Sequence, residues 1–282
     1  MEHAIAKART LIEALPYIRK FAGKTFVIKY GGSAMTEQKY RDLFLEDISL
    51  LKLIGVKVVI VHGGGDDISA LAKRLGKEAV FVKGHRVTDS EMLEIVEMVL
   101  IGKVNKNVVK SLNLHGLKAI GLSGKDDNLI VAKKKKHGKL DIGFVGEVVS
   151  INTKLLDTLE QNGYLPVIAP LGVDDKGNGY NINADLVAAD IAMALKSAKL
   201  IYVTDTDGVK VSGKYVPTLT ASEVKKFIKK GDITGGMLPK CISATAAINE
   251  GVGKVHIING TMEHSLILEI FTEEGTGTEI VR

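Results

Sequence analysis

The sequence contains no tryptophan and a single cysteine, Cys241. One thiol cannot close an intrachain disulfide or build a cysteine-based metal site. Aromatic residues make up only 5% of the chain, too few for the stacking platforms that single-stranded nucleic acid requires. Long apolar runs are missing as well. Stretches such as 58–61 are cut short by charges and glycines, well before the roughly 18 residues of a membrane span. Glu2, Lys7 and Arg9 interrupt the first apolar residues. That is not a signal-peptide layout, so a cytoplasmic location and no membrane partner are expected. There is no G-x-x-x-x-G-K-[ST] loop; the segment from Gly121 to Lys125 has too short a spacing. No G-x-G-x-x-G follows a strand, and the protein-kinase loop set is absent.

What remains is an ordinary globular composition. Of 282 residues, 45% are hydrophobic and 25% charged, enough for one large domain or two medium ones. The net charge of +5 suits an anionic substrate, and equally a nonspecific attraction to nucleic acid. The densest basic run, Lys133 to Lys136 followed by His137 and Lys139, has no interleaved aromatics and is met by Asp141 and Glu147. It reads as a solvated hairpin tip, with no nucleic-acid partner expected.

Apolar residues at Ile5, Ala8, Leu11, Ile12, Leu15 and Ile18 have helical spacing, with Pro16 expected to kink the helix near Leu15. Thereafter strands and helices alternate. Strands are expected at 25–30, 57–62, 118–122, 165–170, 199–204 and 254–258. Helices are expected at 39–54, 67–75, 90–114, 155–162, 184–195, 221–230 and 238–249, with a hairpin across 129–150. β-Branched strands alternating with amphipathic helices predict an α/β fold with a mainly parallel sheet covered on both faces. Ligands in such folds sit beyond the carboxyl ends of the strands. Residues 172–179 are the expected meeting place of two lobes.

The chemistry-bearing residues cluster at those strand ends. Lys29 closes a strand before Gly31-Gly32-Ser33, and His62 closes the next before Gly63-Gly64-Gly65. Such turns let backbone amides reach an anion, and a lysine adds a point charge. His62 has no His, Asp or Glu at metal-binding spacing and reads as structural; no metal site is expected. Arg86, in Gly84-His85-Arg86-Val87-Thr88-Asp89, could clamp a carboxylate in a bidentate fork, or pair with Asp89. Asn181-Ile182-Asn183-Ala184-Asp185 opens a helix, where Asp185 could serve the helix dipole or hold lysines. Thr204-Asp205-Thr206-Asp207-Gly208-Val209 ends another strand. Gly235-Gly236-Met237-Leu238-Pro239-Lys240 leads into a helix, with Lys240 a second cation.

Together and in this order, from Thr25 onward, these segments resemble the amino-acid kinase family. Asp66 departs from the pattern, since a proline commonly follows the family's triple glycine. The resemblance implies a three-layer αβα sandwich (the amino-acid kinase fold) with two lobes. Residues 1–20 would be an oligomerisation arm, 21–175 a substrate-binding and dimerising lobe, and 176–282 an ATP lobe. It implies transfer of a phosphoryl group from ATP, with Mg²⁺, to the γ-carboxylate of N-acetyl-L-glutamate. Lys29, Lys240 and Asp185 would be catalytic. Gly64, Gly65, Arg86, Asn181 and Asn183 would bind the substrate, and Gly31, Gly32, Gly63, Thr204, Asp205, Asp207, Gly235 and Gly236 the phosphates and ATP. The arm implies a hexamer built as a trimer of dimers. Lys199, His264, Glu269, Gly275 and Gly277 would form a site for L-arginine as inhibitor. Two other readings stand beside this one: a relative acting on an acylated aminoadipate, and a noncatalytic amino-acid sensor on the same fold.

Overall fold

The computed structural model describes residues 2–82, 84–136, 138, 140–272 and 275–282, with the side chains of 2–4, 6–8, 10 and 11 excepted. His137 and Lys139 of the basic run, and the side chains of Ala8 and Leu11, lie outside that description. One sheet of eight strands dominates. In chain order these are β1 (Thr25–Tyr30), β2 (Lys57–His62), β3 (Ala119–Ser123), β4 (Leu165–Ala169), β5 (Lys199–Thr204), β6 (Thr218–Thr220), β7 (Lys254–Asn259) and β8 (Thr278–Val281). Across the sheet they run β6-β8-β7-β5-β1-β2-β4-β3. Every pairing is parallel except that of β7 with β8.

Both faces of the sheet are buried, and the alternation of strand side chains sorts two cores. Val27, Val61, Leu200 and Tyr202 face one core, packed with α7 (Ala184–Ala194) and α9 (Met237–Asn249). Phe26, Ile28, Tyr30, Ile60 and Val203 face the other, against α2 (Gln38–Leu53), α5 (Lys106–Leu114) and α10 (Ser265–Phe271). Helices α6 (Thr153–Gln161) and α8 (Ala221–Lys230) complete the first layer through Leu156 and Val224. The other helices are α1 (Glu2–Phe21), α3 (Gly65–Arg74) and α4 (Ser90–Glu97), besides a single helical turn at Ser33–Thr36. The α/β sandwich therefore stands as the alternation predicted it.

Four local features refine the expectation. The helix expected over 90–114 is α4 and α5 joined by a π-helical segment, Met98–Asn105. Residues 172–179, the expected meeting place of two lobes, form a hairpin: Leu171–Val173 and Gly179–Asn181 pair antiparallel, and join Ile130–Lys134 and Gly146–Ile151 in a second, four-stranded sheet. Helix α1 runs continuously through Pro16. Its last turn is anchored, with Tyr17 tilted against Phe271 at 5.9 Å and Phe21 buried, while Ile5, Ile12 and Leu15 remain exposed. The short strands β6, at the sheet edge, and β8 beside it, and helix α10, had no sequence signal strong enough to single them out.

At the hairpin tip, Lys133 pairs with Glu147 at 3.1 Å and Lys134 with Asp141 at 2.8 Å, all on exposed side chains. Those pairs offset the charge of Lys133 and Lys134. No described helix is long and apolar enough to cross a membrane.

Ile60, at the centre of β2, is fully buried. Ile60→Ala is expected to lower the unfolding free energy by about 2–5 kcal/mol in a urea titration, since the sheet cannot collapse into the void. A loss below about 1 kcal/mol would show that the core relaxes around it.

Candidate active site

Three charged side chains from three elements meet where the carboxyl ends of β1 and β5 open. Lys29 shares the β1 face of Val27 and so points towards α7. Asp185 stands in the first turn of α7, fixed by Asn183, whose Oδ1 accepts from the Asp185 amide at 2.8 Å. Lys240 stands in the first turn of α9, behind Gly235-Gly236 and Pro239. Lys240 Nζ donates to Asp185 Oδ2 at 2.5 Å, and Lys29 Nζ lies 3.4 Å from Asp185 Oδ1. The longer distance is an ion pair rather than a hydrogen bond, and Oδ1 has no short donor. Tyr202 backs the cluster, with its hydroxyl near the Asp185 carbonyl and 2.7 Å from Ser243 Oγ.

Burial is severe here, and it sets the electrostatics. Burial lowers the Lys29 ammonium from its ordinary range; Asp185 opposes this and Lys240 adds to it. For Asp185 burial acts upward, yet the two lysines overcome it and hold the carboxyl below its ordinary value. Asp185 is thus an anion committed to two cations, and not a proton acceptor waiting for work. Gly31 lies directly under Lys29: a Cβ there would run into Lys29 Nζ.

Beside the cluster is a cavity of about 210 Å³, lined by Gly63, Gly64, Gly65, Arg86, Asn181 and Asn183, with Ile68, Phe81, Leu100 and Val145 as its apolar walls. Arg86 Nη2 donates to the Gly65 carbonyl and to Ser69 Oγ, both at 2.8 Å. Phe81 covers the guanidinium at 4.7 Å. Arg86 Nη1 is buried without a partner. Arg86 does not pair with Asp89, which instead caps α4 through the Met92 amide and meets Lys77 at 2.7 Å. Asn181 Nδ2 donates to Thr88 Oγ1 at 3.2 Å. An anionic ligand of amino-acid size, offering a carboxylate to Arg86, would satisfy the unpartnered Nη1.

The third group of residues borders the same opening from the β5 side. Asp205 accepts from the Ser33 amide at 2.6 Å and leans over Gly32, where any Cβ would collide with it. Asp207 accepts from Asn259 Nδ2 at 2.6 Å.

Residues 24–259 match the profile of the Amino acid kinase family. The chain belongs to the amino acid kinase family. The acetylglutamate kinase of Trichlorobacter lovleyi is 52% identical over the full length of both chains. Among solved structures, N-acetylglutamate synthase from Neisseria gonorrhoeae complexed with coenzyme A and N-acetyl-glutamate superposes with a TM-score of 0.86 at 28% identity. That match covers 98% of this chain and 63% of the synthase chain. The same synthase complexed with coenzyme A and L-arginine gives a TM-score of 0.84 at 27% identity, covering 97% of this chain and 65% of that one.

A second cavity of this amino acid kinase, about 590 Å³, lies between the end of α1 and the β7–β8 edge. Tyr17, Lys20 and Phe21 line it together with Lys199, Glu269, Gly275 and Gly277. His264 is not there. It faces α2 instead, 2.7 Å from Asp47, because a left-handed backbone at φ 52° turns it away at the start of α10. The histidine in this cavity is His256, on β7, which the sequence reading did not single out. Its Nε2 meets Lys199 Nζ at 2.7 Å and its Nδ1 meets Glu269 Oε1 at 2.6 Å. Glu269 Oε2 accepts the Thr276 and Gly277 amides. Burial lowers the His256 imidazole, and burial with Lys254 nearby brings Lys199 down to about 8. No sequence signal marked it, since the pairing is set by register: His256 lies directly across from Ile201, two residues beyond Lys199, in the β5–β7 pairing.

Removing Asp185 leaves two buried ammonium groups without their shared anion. Asp185→Ala is expected to cost about 3–5 kcal/mol of stability at neutral pH, read from denaturant midpoints. Because the folded carboxyl titrates below its unfolded value, that stabilisation is complete above about pH 4 and is lost as pH falls through the folded value. An unchanged midpoint would mean that water reaches both lysines.

Proposed function

We propose that this chain transfers the γ-phosphoryl group of ATP to the γ-carboxylate of N-acetyl-L-glutamate, giving an acyl phosphate and ADP. The observation that carries the reading is the Asp185 carboxylate bound between Lys29 and Lys240, next to the Arg86 cavity. A carboxylate substrate is already ionised at neutral pH, with a free pKa of about 4.3. It needs no general base, and the site offers none: Asp185 is tied to two lysines. One carboxylate oxygen attacks the γ-phosphorus as the bond to the bridging oxygen breaks, and ADP leaves with that electron pair. No proton moves.

The barrier is the approach of two anions, so positive charge must be held where the phosphoryl oxygens gather negative charge. Lys29 serves the attacking side and Lys240 the nucleotide side, with Asp185 orienting both. The Gly31-Gly32 and Gly63–Gly65 amides cradle the phosphoryl group and the substrate. Arg86 takes the α-carboxylate through its unpartnered Nη1, and Asn181 and Asn183 hold the rest of the acetylated amino acid. Residues 204–209 with Gly235-Gly236 take ATP. Mg²⁺ accompanying the nucleotide would be held mainly by phosphates and water and would offset their negative charge; the described residues hold no cluster of three His, Cys, Asp or Glu side chains. On this reading residues 21–175 form the substrate lobe, 176–282 the nucleotide lobe, and 1–20 the assembly arm, in a cytoplasmic enzyme of arginine biosynthesis.

L-Arginine as inhibitor fits the second cavity, where Glu269 faces a guanidinium and Lys199 a carboxylate, with His256 in place of His264. The Neisseria synthase complexed with L-arginine supports the same reading. The exposed apolar side of α1, at Ile5, Ile12 and Leu15, suits packing against another subunit, as in a hexamer of three dimers.

A coupled ADP-release assay with acetylglutamate, glutamate, aspartate and acetylaminoadipate tests the substrate: acetylglutamate should be strongly preferred. Lys29→Ala and Lys240→Ala should each lower kcat by roughly a hundredfold or more with modest changes in KM, since each charge acts in the transition state. Arg86→Ala should mainly raise KM for the amino acid; an effect confined to ATP would remove Arg86 from the substrate site. Deleting residues 2–20 should shrink the particle in sedimentation and weaken arginine inhibition, and an unchanged mass would reject the assembly role.

A further inference from the structure

We infer that Asn105 is a positioning residue: through His62 it fixes the Gly63 carbonyl and thereby aims the Gly64 amide into the cavity beside Lys29. The inference rests on the proposed reaction, which gives that amide an oxygen to bind.

Asn105 ends the π-helical segment and is almost fully buried. Short π-segments inside helices recur at functional positions. Its Nδ2 reaches three neighbouring strands: the Val167 carbonyl of β4 at 2.9 Å, the Leu122 carbonyl of β3 at 3.4 Å and His62 Nε2 of β2 at 3.2 Å. Facing two carbonyls, that atom must be the donating nitrogen, so His62 Nε2 accepts. The other imidazole nitrogen, Nδ1, lies 2.7 Å from the Gly63 carbonyl, which can only accept. The two contacts together demand one neutral tautomer, with the proton on Nδ1. Burial enforces neutrality by pushing the imidazole down to about 4.

The consequence falls on the next peptide. The peptide bonds of the described residues are trans, so a carbonyl held on one side sends the following amide to the other. His62 shares the β2 face of Val58 and Ile60, away from Lys29. Holding the Gly63 carbonyl towards that face directs the Gly64 amide to the cavity side. The same π-segment braces the turn from beneath, because a Cβ on Gly64 would come 2.7 Å from Leu100 and 3.3 Å from Val104. Gly121 completes the device: a Cβ there would overlap Asn105 Oδ1. That oxygen is buried with no hydrogen-bond partner, an unfavourable arrangement kept where the amide nitrogen has three acceptors to serve.

Two isosteres separate the relay from simple packing. The side-chain nitrogen of asparagine falls near imidazole Nδ1, and that of glutamine near Nε2. With ATP and N-acetyl-L-glutamate, His62→Gln and Asn105→Ala should lose kcat by roughly tenfold to a hundredfold, the scale of a misaimed amide donor, with KM for ATP within about twofold. His62→Asn should retain about ten times the turnover of His62→Gln. Equal losses in both isosteres, or a loss confined to KM, overturn the relay. Imidazole ¹⁵N–¹H spectra of the histidine-labelled full chain read the tautomer without turnover, and decide the matter where a variant does not fold. An Nδ1-protonated His62 that changes in Asn105→Ala supports the inference, and an Nε2-protonated one overturns it. A wild-type chain that releases no ADP with N-acetyl-L-glutamate removes the proposed reaction, while the spectra still decide the relay.

Discussion

Two ammonium groups cannot be buried side by side without an anion between them. Asp185 meets that constraint, and much of the molecule is arranged around it. Its carboxylate draws on β1, α7 and α9, three elements separated by more than 150 residues of chain between Lys29 and Asp185 and about 55 more to Lys240. The helix start favours a negative charge at Asp185, Asn183 fixes the turn that presents it, and Tyr202 closes the layer behind. Burial acts to raise the Asp185 carboxyl, and the two lysines hold it below its ordinary value. A site of this kind has little to offer a reaction that needs a base, and much to offer one that gathers negative charge.

The sheet separates two jobs by its two faces. On β1 and β2, alternate residues point to opposite cores. Lys29 goes to the face of α7 and α9, where charge is handled. His62, one strand over, goes to the other face, where Asn105 reaches it from the π-segment. The glycine turns at the strand ends lie between these faces and are held from behind while remaining open in front. Gly64 and Gly121 make room on the back side, and Gly31 and Gly32 on the front.

The second cavity follows the same logic at the far edge of the sheet. A buried carboxylate, Glu269, is shared by His256 and two backbone amides, and His256 in turn meets Lys199. Phe21, at the end of α1, sits 5.3 Å from the same lysine. The first helix of the chain therefore touches a polar network built from β5, β7, α10 and the loop that follows it, which ties the first helix to the C-terminal part of the chain through packing.

Much of this was legible in the sequence. Strand and helix alternation determined the α/β sandwich, because β-branched runs and helical periodicity are local properties. The glycine turns, Lys29, Arg86, Asp185 and Lys240 were legible because strand ends and helix starts place side chains at one edge of such a sheet. The tertiary structure alone decided who meets whom. It turned Arg86 from Asp89 to Ser69 and Gly65, and replaced His264 by His256, since register across a sheet is set by packing and not by neighbours in the chain. It also turned His62, by itself only a residue before three glycines, into the link between Asn105 and a backbone amide. That role depends on a π-turn and on three parallel strands arriving together, and no single stretch of sequence carries either.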